Sequence, residues 1–232
     1  MQKKLALSSN QSLMQNLNQY STLIFDCDGV ILNSNFQKIE AYRKAAIKFG
    51  ADAHEAEALV RYHVGLTGIS RNIKFHYFLD TILGRKVTDE DMNFLLQSLN
   101  NEVIALLKNC EITLGLEELK KQSKDTTWMV ASGGDQEELR FLFSDKKINH
   151  LFDGGIFGSP KSKHEIIESH ITNDNFLPAL FFGDSLYDIE TAKKYNLDFI
   201  FVSDWTDLEN WELICKQYNV ESIRTMSDLV IA

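Results

Sequence analysis

Five short apolar runs punctuate the chain: Thr22 to Phe25, Thr127 to Ala131, Gly155 to Phe157, Ala179 to Phe182 and Phe199 to Val202. Each has the length of a buried strand, and none alternates with polar residues as a strand with one wet face would. The pattern predicts parallel strands covered on both sides. Segments of helical character fill the intervals, over Asp135 to Phe143, Lys163 to His170 and Tyr187 to Tyr195. Repeated alternation of strand and helix predicts an α/β fold built on an open, doubly wound, Rossmann-like parallel sheet, and in such sheets ligands bind beyond the carboxyl ends of the strands.

One region breaks the alternation. Between Asn33 and Glu111 no run reads as a strand, while Phe75, Phe78, Leu79 and Ile82, and then Leu95, Leu99, Val103, Leu106 and Leu107, fall at helical spacing. The expected organisation is a catalytic core over 21–33 and 112–232, an inserted all-helical cap over 34–111, and an N-terminal tail over 1–20. The Gln/Asn/Ser-rich tail reads as loosely held or as a short surface helix. Within the insertion, GLTGISRNIKF offers a bend at Gly68 and a helix cap at Ser70, with Arg71 and Lys74 on one helical face near its positive end.

Composition narrows the classes of partner. With 44% hydrophobic and 11% aromatic residues and two prolines among 232, burial can offset the entropy of ordering, which excludes a disordered chain. The formal charge of −9 leaves no electrostatic footprint for nucleic acid or an anionic membrane surface. No stretch approaches the ~18 to 20 apolar residues of a membrane span, and the apolar run Leu5 to Leu7 is too short for a signal-peptide core. Cys27, Cys110 and Cys215 lack zinc-type spacing and read as reduced thiols, so a cytoplasmic protein is expected. A monomer or weak homodimer is expected as well. An acidic protein handling an anionic substrate needs a local positive cluster or a metal ion.

The candidate chemistry sits at strand ends. The first strand runs into FDCDGV, placing Asp26 and Asp28 two residues apart beside a glycine that turns the chain. Two acids this close repel unless something positive lies between them. The second strand runs into ASGGD, where the Ser132 hydroxyl and the Gly133 and Gly134 amides can grip phosphate oxygens. The fourth runs into GDSLYD, with Asp184 at its tip and Asp188 near the start of a helix. The third is followed by SPKSKHE, offering Lys161 and Lys163.

These motifs, in this order and with a helical insertion after the first, resemble the haloacid dehalogenase superfamily, in its phosphatase branch with a type-1 cap. DCDGV matches the first family motif, ASGG the second, a lysine after GSP the third and GDSLYD the fourth. The resemblance implies that Asp26 is the nucleophile forming an aspartyl-phosphate, and that Asp28 protonates the leaving oxygen and then activates water. It implies Mg²⁺ held by the Asp26 carboxylate, the Asp28 carbonyl and Asp184. Ser132, Gly133 and the lysine would steady the transferring phosphoryl group. Lys163 is preferred over Lys161 because it directly precedes a helical stretch. Asp188 would hold that lysine, or reach the metal through water. GISR is similar to the cap loop of beta-phosphoglucomutase-like relatives, which makes Arg71 the first candidate for substrate binding and Lys74 the second. Lys38 and Arg43 are weaker candidates, read chiefly as solvated charges, and the six histidines as surface or core residues.

The resemblance therefore implies a Mg²⁺-dependent phosphatase for a small phosphorylated metabolite, such as a sugar phosphate or a phosphoglycolate-like compound. The alternative is a beta-phosphoglucomutase-like phosphomutase. Carbon–halogen hydrolysis needs neither the second acid nor a metal, and an idle regulatory protein would not need every acid kept.

Overall fold

The computed structural model describes residues 17–66, 69–173 and 175–230. Among these, six strands form one all-parallel sheet: β1 (Thr22–Phe25), β2 (Thr127–Asp135), β3 (Gly155–Ser159), β4 (Ala179–Gly183), β5 (Asp198–Val202) and β6 (Glu221–Ile223). Their order across the sheet is β3-β2-β1-β4-β5-β6. β1 thus pairs with β2 on one side and β4 on the other. The chain winds outward in both directions from β1, and the crevice at that switch point opens beyond the carboxyl ends of β1 and β4.

Both faces of the sheet are buried, which explains the unbroken apolar runs. Along β1, Leu23 and Phe25 join one core and Ile24 the other; β2 divides Trp128 and Val130 from Met129 and Ala131 in the same way. Helices α5 (Leu116–Gln122) and α6 (Gln136–Asp145) cover the first face, α7 (Lys163–Ile171) and α8 (Leu186–Lys194) the second. A last helix, α9 (Trp211–Tyr218), lies over β5, with Trp211 stacked on Phe201.

The segment between β1 and α5 contains α1 (Asn35–Phe49), α2 (Ala53–Gly65), α3 (Arg71–Tyr77), a π-helical turn over Phe78–Ile82 and α4 (Asp89–Leu107). Its apolar stripes, with Leu59, Phe75, Phe78, Leu95, Leu99 and Val103, belong to the same continuous core as Phe25 and Trp128. Caps set the starts of these helices: Asp52 and Glu55 form a capping box on α2, Ser70 accepts from Asn72 N–H on α3 and Thr88 from Asp91 N–H on α4.

The structure departs from the sequence expectations at several points. β2 does not stop at Ala131 but continues through the glycines to Asp135, with a register shift against β3 after Ala131. β6, three residues at the sheet edge, and the helices α5 and α9 were not expected. Of the predicted loose tail, Leu17–Gln19 form a turn whose Leu17 is buried, and Tyr20 donates to Asp198 at 2.7 Å, so these residues are packed. The rest of that tail and the bend assigned to Gly68 lie outside the described residues.

Candidate active site

β1 delivers Asp26 to the switch point, where its N–H donates to the Phe182 carbonyl of β4 at 2.9 Å. The side chain is 2% exposed as a residue and is gripped from two directions: Cys27 N–H donates to Oδ1 at 2.7 Å and Lys163 Nζ lies 2.8 Å from Oδ2. Cys27 itself points into the core, fully buried. At Gly29 the backbone takes φ +76°, and a Cβ there would lie 2.0 Å from Asp184 Oδ2. The glycine is what lets the acid at the tip of β4 sit against the β1 turn. Gly183 is required for a similar reason, since its Cβ would fall 2.4 Å from that of Asp188.

Lys163 is the first residue of α7, whose start is fixed by the Ser162–Glu165 capping box. It is 1% exposed and bridges Asp26 to Asp188 Oδ1, the latter at 2.5 Å. Asp188 does two jobs at once. Its other oxygen closes a capping box with Ser185, accepting from the hydroxyl at 2.6 Å and from the amide at 3.3 Å. Lys161 is exposed and stands apart from this cluster.

The carboxylates of Asp26, Asp184 and Asp188 each offer an oxygen within 4.8 Å of the others. Burial pushes the Asp26 carboxyl up to about 7 despite the neighbouring Lys163 ammonium, and Asp188 and Asp28 add to the rise. Burial likewise raises Asp184 well above the usual carboxylate range, reinforced by Asp26 and Asp188. Asp184 Oδ2 accepts from Asn35 Nδ2 at 3.0 Å, but its Oδ1 is buried with no hydrogen-bond partner. Buried carboxylates crowded together with an unpartnered oxygen are what a hard cation with oxygen ligands requires, so the donor set fits a divalent metal ion. Both oxygens of Asp26 and of Asp188 are engaged, so Asp184 Oδ1 is the unpartnered carboxylate oxygen of the three.

Asp28 faces the opposite environment. Ser34, at the start of α1, donates from its hydroxyl to Oδ1 at 2.6 Å instead of capping its own helix, and Lys38 Nζ meets Oδ2 at 2.6 Å. Burial would raise the Asp28 carboxyl, but the Lys38 charge and these hydrogen bonds outweigh it and hold the group below its ordinary value. Lys38 is 7% exposed and buried in the site, so its reading as a solvated charge is corrected. The start of α1 thus carries Ser34 and Lys38 to Asp28 and Asn35 to Asp184. Arg43, further along the same helix, pairs at the surface with Glu40 and Glu57.

Above the acids is a small cavity of about 40 Å³ whose walls include Asp26, Asp28, Lys38, Gly133 and Gly134, with Tyr42, His63, Arg71 and Lys74 from the inserted helices. Ser132 is fully buried beside it and accepts from Gly134 N–H at 3.1 Å. The structure thus brings Asp26, Asp28, Gly133, Arg71 and Lys74 onto one cavity, with Asp184, Asp188, Ser132 and Lys163 directly behind its floor. Arg71, however, is taken by Glu138 of α6: NH1 lies 3.1 Å and NH2 3.2 Å from its carboxylate, and Asn100 of α4 also accepts from NH1. Lys74 is 2% exposed and meets His63 Nδ1 at 2.8 Å. Burial and the Lys38 charge depress the Lys74 amine to about 7, and burial and Lys74 press His63 well below its ordinary value, so His63 is neutral at neutral pH. Sequence reasoning missed Asn35, His63 and Glu138; the spacing of Asn35 to Lys38 and of Asp135 to Glu138 carried a helical signal, whereas His63 reaches Lys74 only through the packing of α2 on α3.

A doubly wound parallel sheet with a helical insertion after its first strand, and a buried acidic centre at the switch point, defines the α/β class of this hydrolase. The chain belongs to the haloacid dehalogenase-like hydrolase family, whose sequence model matches residues 23–202. Solved structures of similar fold include a haloacid dehalogenase-like hydrolase from Streptococcus pneumoniae (18% identity over 90% of this chain and 95% of that one, TM-score 0.63). A beta-phosphoglucomutase from Clostridium difficile is 22% identical over 86% of this chain and 97% of that one, with a TM-score of 0.61. A predicted phosphoglycolate phosphatase from Haemophilus somnus is 17% identical over 79% and 85%, with a TM-score of 0.63. No curated protein sequence matches the chain. Among the described residues no helix is long and apolar enough to cross a membrane.

Proposed function

We propose that this hydrolase is a divalent-cation-dependent phosphatase that cleaves a small phosphorylated metabolite through an aspartyl-phosphate on Asp26. The observation that carries this reading is the placement of Asp26 between the Lys163 ammonium at 2.8 Å and the cluster it forms with Asp184 and Asp188, on the floor of a cavity shared with Asp28.

Asp26 Oδ attacks phosphorus in line with the departing ester oxygen. Positioning and charge stabilisation dominate phosphoryl transfer, so the pocket's main task is to keep positive charge around the transferring group. Lys163 supplies one such charge, fixed by Asp188 so that it cannot swing away. The Ser132 hydroxyl and the Gly133 amide supply neutral donors. Mg²⁺, held by the Asp26 and Asp184 carboxylates and the Asp28 carbonyl, would supply the further charge that lets one anion approach another.

Asp28 stands two residues on and carries the proton. It gives one to the leaving alkoxide and later takes one from the water that opens the acyl-phosphate. Lys38 and Ser34 hold this carboxyl ionised. Protonation of Asp28 therefore requires α1 to shift as substrate enters, and a cavity of about 40 Å³ has room for a few waters but not for a phosphate ester. Entry of substrate and release of Lys38 are one event in this reading.

A phosphomutase is the second reading. It needs a roof cation free to hold a distal phosphate, and the engagement of Arg71 by Glu138 counts against it. Release of inorganic phosphate from a panel of phosphate esters, with Mg²⁺ and with chelator, tests the assignment. Magnesium-dependent release is expected; interconversion of sugar phosphate isomers without net release would replace the phosphatase by the mutase.

A further inference from the structure

The roof of the cavity carries two buried cations from α3, and they are treated differently. Arg71 and Glu138 form a two-pronged ion pair whose side chains are 5% and 1% exposed. Glu138 sits in the first turn of α6, one helical turn past the Ser132–Gly134 stretch, where Asp135 caps the helix by accepting from its N–H. A buried arginine lining a site for an anionic substrate would ordinarily draw a second anionic group of that substrate to itself. Here the chain supplies that anion internally. Lys74 is left with a neutral imidazole and forms no ion pair among the described residues, so the net charge the roof presents is at most one.

We propose, building on the phosphatase reading, that Glu138 is a specificity-determining residue that makes the pocket reject substrates bearing a second phosphate. A distal phosphate could reach Arg71 only by displacing the Glu138 carboxylate or by lying beside it, and like charges in a cavity of low dielectric repel strongly. A leaving group with hydroxyls or a single carboxylate meets no such barrier, since Lys74, His63 and Tyr42 remain to bind it. The substrate class that follows is the phosphate monoester with at most one further negative charge.

The test compares wild type with Glu138→Gln, which keeps the shape and an acceptor for Arg71 but removes the charge, and with Glu138→Asp, which keeps the charge. The ratio of kcat/KM for fructose bisphosphate to that for fructose monophosphate is expected to rise at least about tenfold in Glu138→Gln, through KM, and to stay near the wild-type ratio in Glu138→Asp. Calorimetric binding of a propane diphosphonate against propylphosphonate is expected to shift in parallel, and it reads the same selectivity without turnover. An unchanged ratio and unchanged binding preference in a folded Glu138→Gln protein overturn the proposal. Should that variant fail to fold, Arg71→Met/Glu138→Met removes the pair without stranding a charge; it is expected to discriminate less against the second phosphate than wild type, and equal discrimination overturns the proposal. Loss of the phosphatase reading would show separately, as no phosphate release from any ester while the binding preference still shifted.

Discussion

The floor and the roof of the cavity are built on different principles. The floor is a set of strand ends and helix starts: Asp26 and Asp184 ride on adjacent strands, while Lys163 and Asp188 begin the helices that follow β3 and β4. Each is fixed by backbone hydrogen bonding within a few residues of the motif that contains it. The roof is a set of side chains on amphipathic helices, and Arg71, Lys74 and His63 reach the cavity only through the way α2, α3 and α4 pack. The floor is rigid by local chemistry, whereas the roof is placed by tertiary contacts and can move with the helices that carry it. In the proposed function the floor makes the bond and the roof selects the substrate.

The sharpest way to break the comparison is at the nucleophile. Asp26→Asn is expected to lower phosphate release by roughly a thousandfold or more while the protein keeps its fold. The asparagine also relieves a buried carboxyl already pushed up to about 7, so the thermal midpoint should not fall. Retained turnover would show that the floor is not where the bond forms.

Next in size is Lys163→Met, which strands Asp26 and Asp188 without their shared counter-charge in the absence of metal. A loss of about 3–5 kcal/mol in chemical denaturation is expected, together with loss of activity. Lys161→Met, on an exposed side chain next to the same helix, should change neither. If the two behave alike, Lys163 does not organise the floor.

Lys38→Met probes the link between the two regions. It removes the charge that holds Asp28 ionised, so the pH dependence of kcat should shift upward on esters of poor leaving groups, which need the acid. An unshifted pH profile with a raised KM would place Lys38 in binding instead of proton transfer.

A smaller effect sharpens the picture of the roof. The folded protein depresses Lys74 to about 7 from an unfolded value near 10.5. Between these limits the unfolded chain binds the extra proton, so stability rises with pH there; below about 7 both states are protonated and the cost of the buried charge is felt in full. Relative to Lys74→Met, wild type should gain about 1 kcal/mol or more between pH 7 and pH 10, read from urea midpoints. Parallel curves would mean that the amine is not buried as a charge. Arg43→Ala, on the solvent side of α1, marks the bottom of the scale and should move stability by less than about 0.5 kcal/mol.

Much of this was legible along the chain. The D-C-D-G and G-D-S-L-Y-D segments announce acids at the tips of apolar runs, and the family they resemble is the family to which the chain belongs. Lys163 was separable from Lys161 because it directly precedes a helical stretch, as the family's lysine does. Glu138 and Lys38 were not legible in the same way, because a charged residue on an amphipathic helix looks the same whether it faces water or a partner. β6 escaped because three residues at a sheet edge carry no periodic signal of their own.

The sequence by itself determined the alternation of strand and helix, the inserted helical region and the identity of the acids at the strand tips, because those features follow from local period, turn and capping chemistry. Tertiary structure alone decided that Lys38 would clamp Asp28, that Arg71 would be answered by Glu138 and that Lys74 would lie against a neutral imidazole. Those pairings join residues 10, 67 and 11 positions apart across packed helices, where only the geometry of burial fixes which charge meets which.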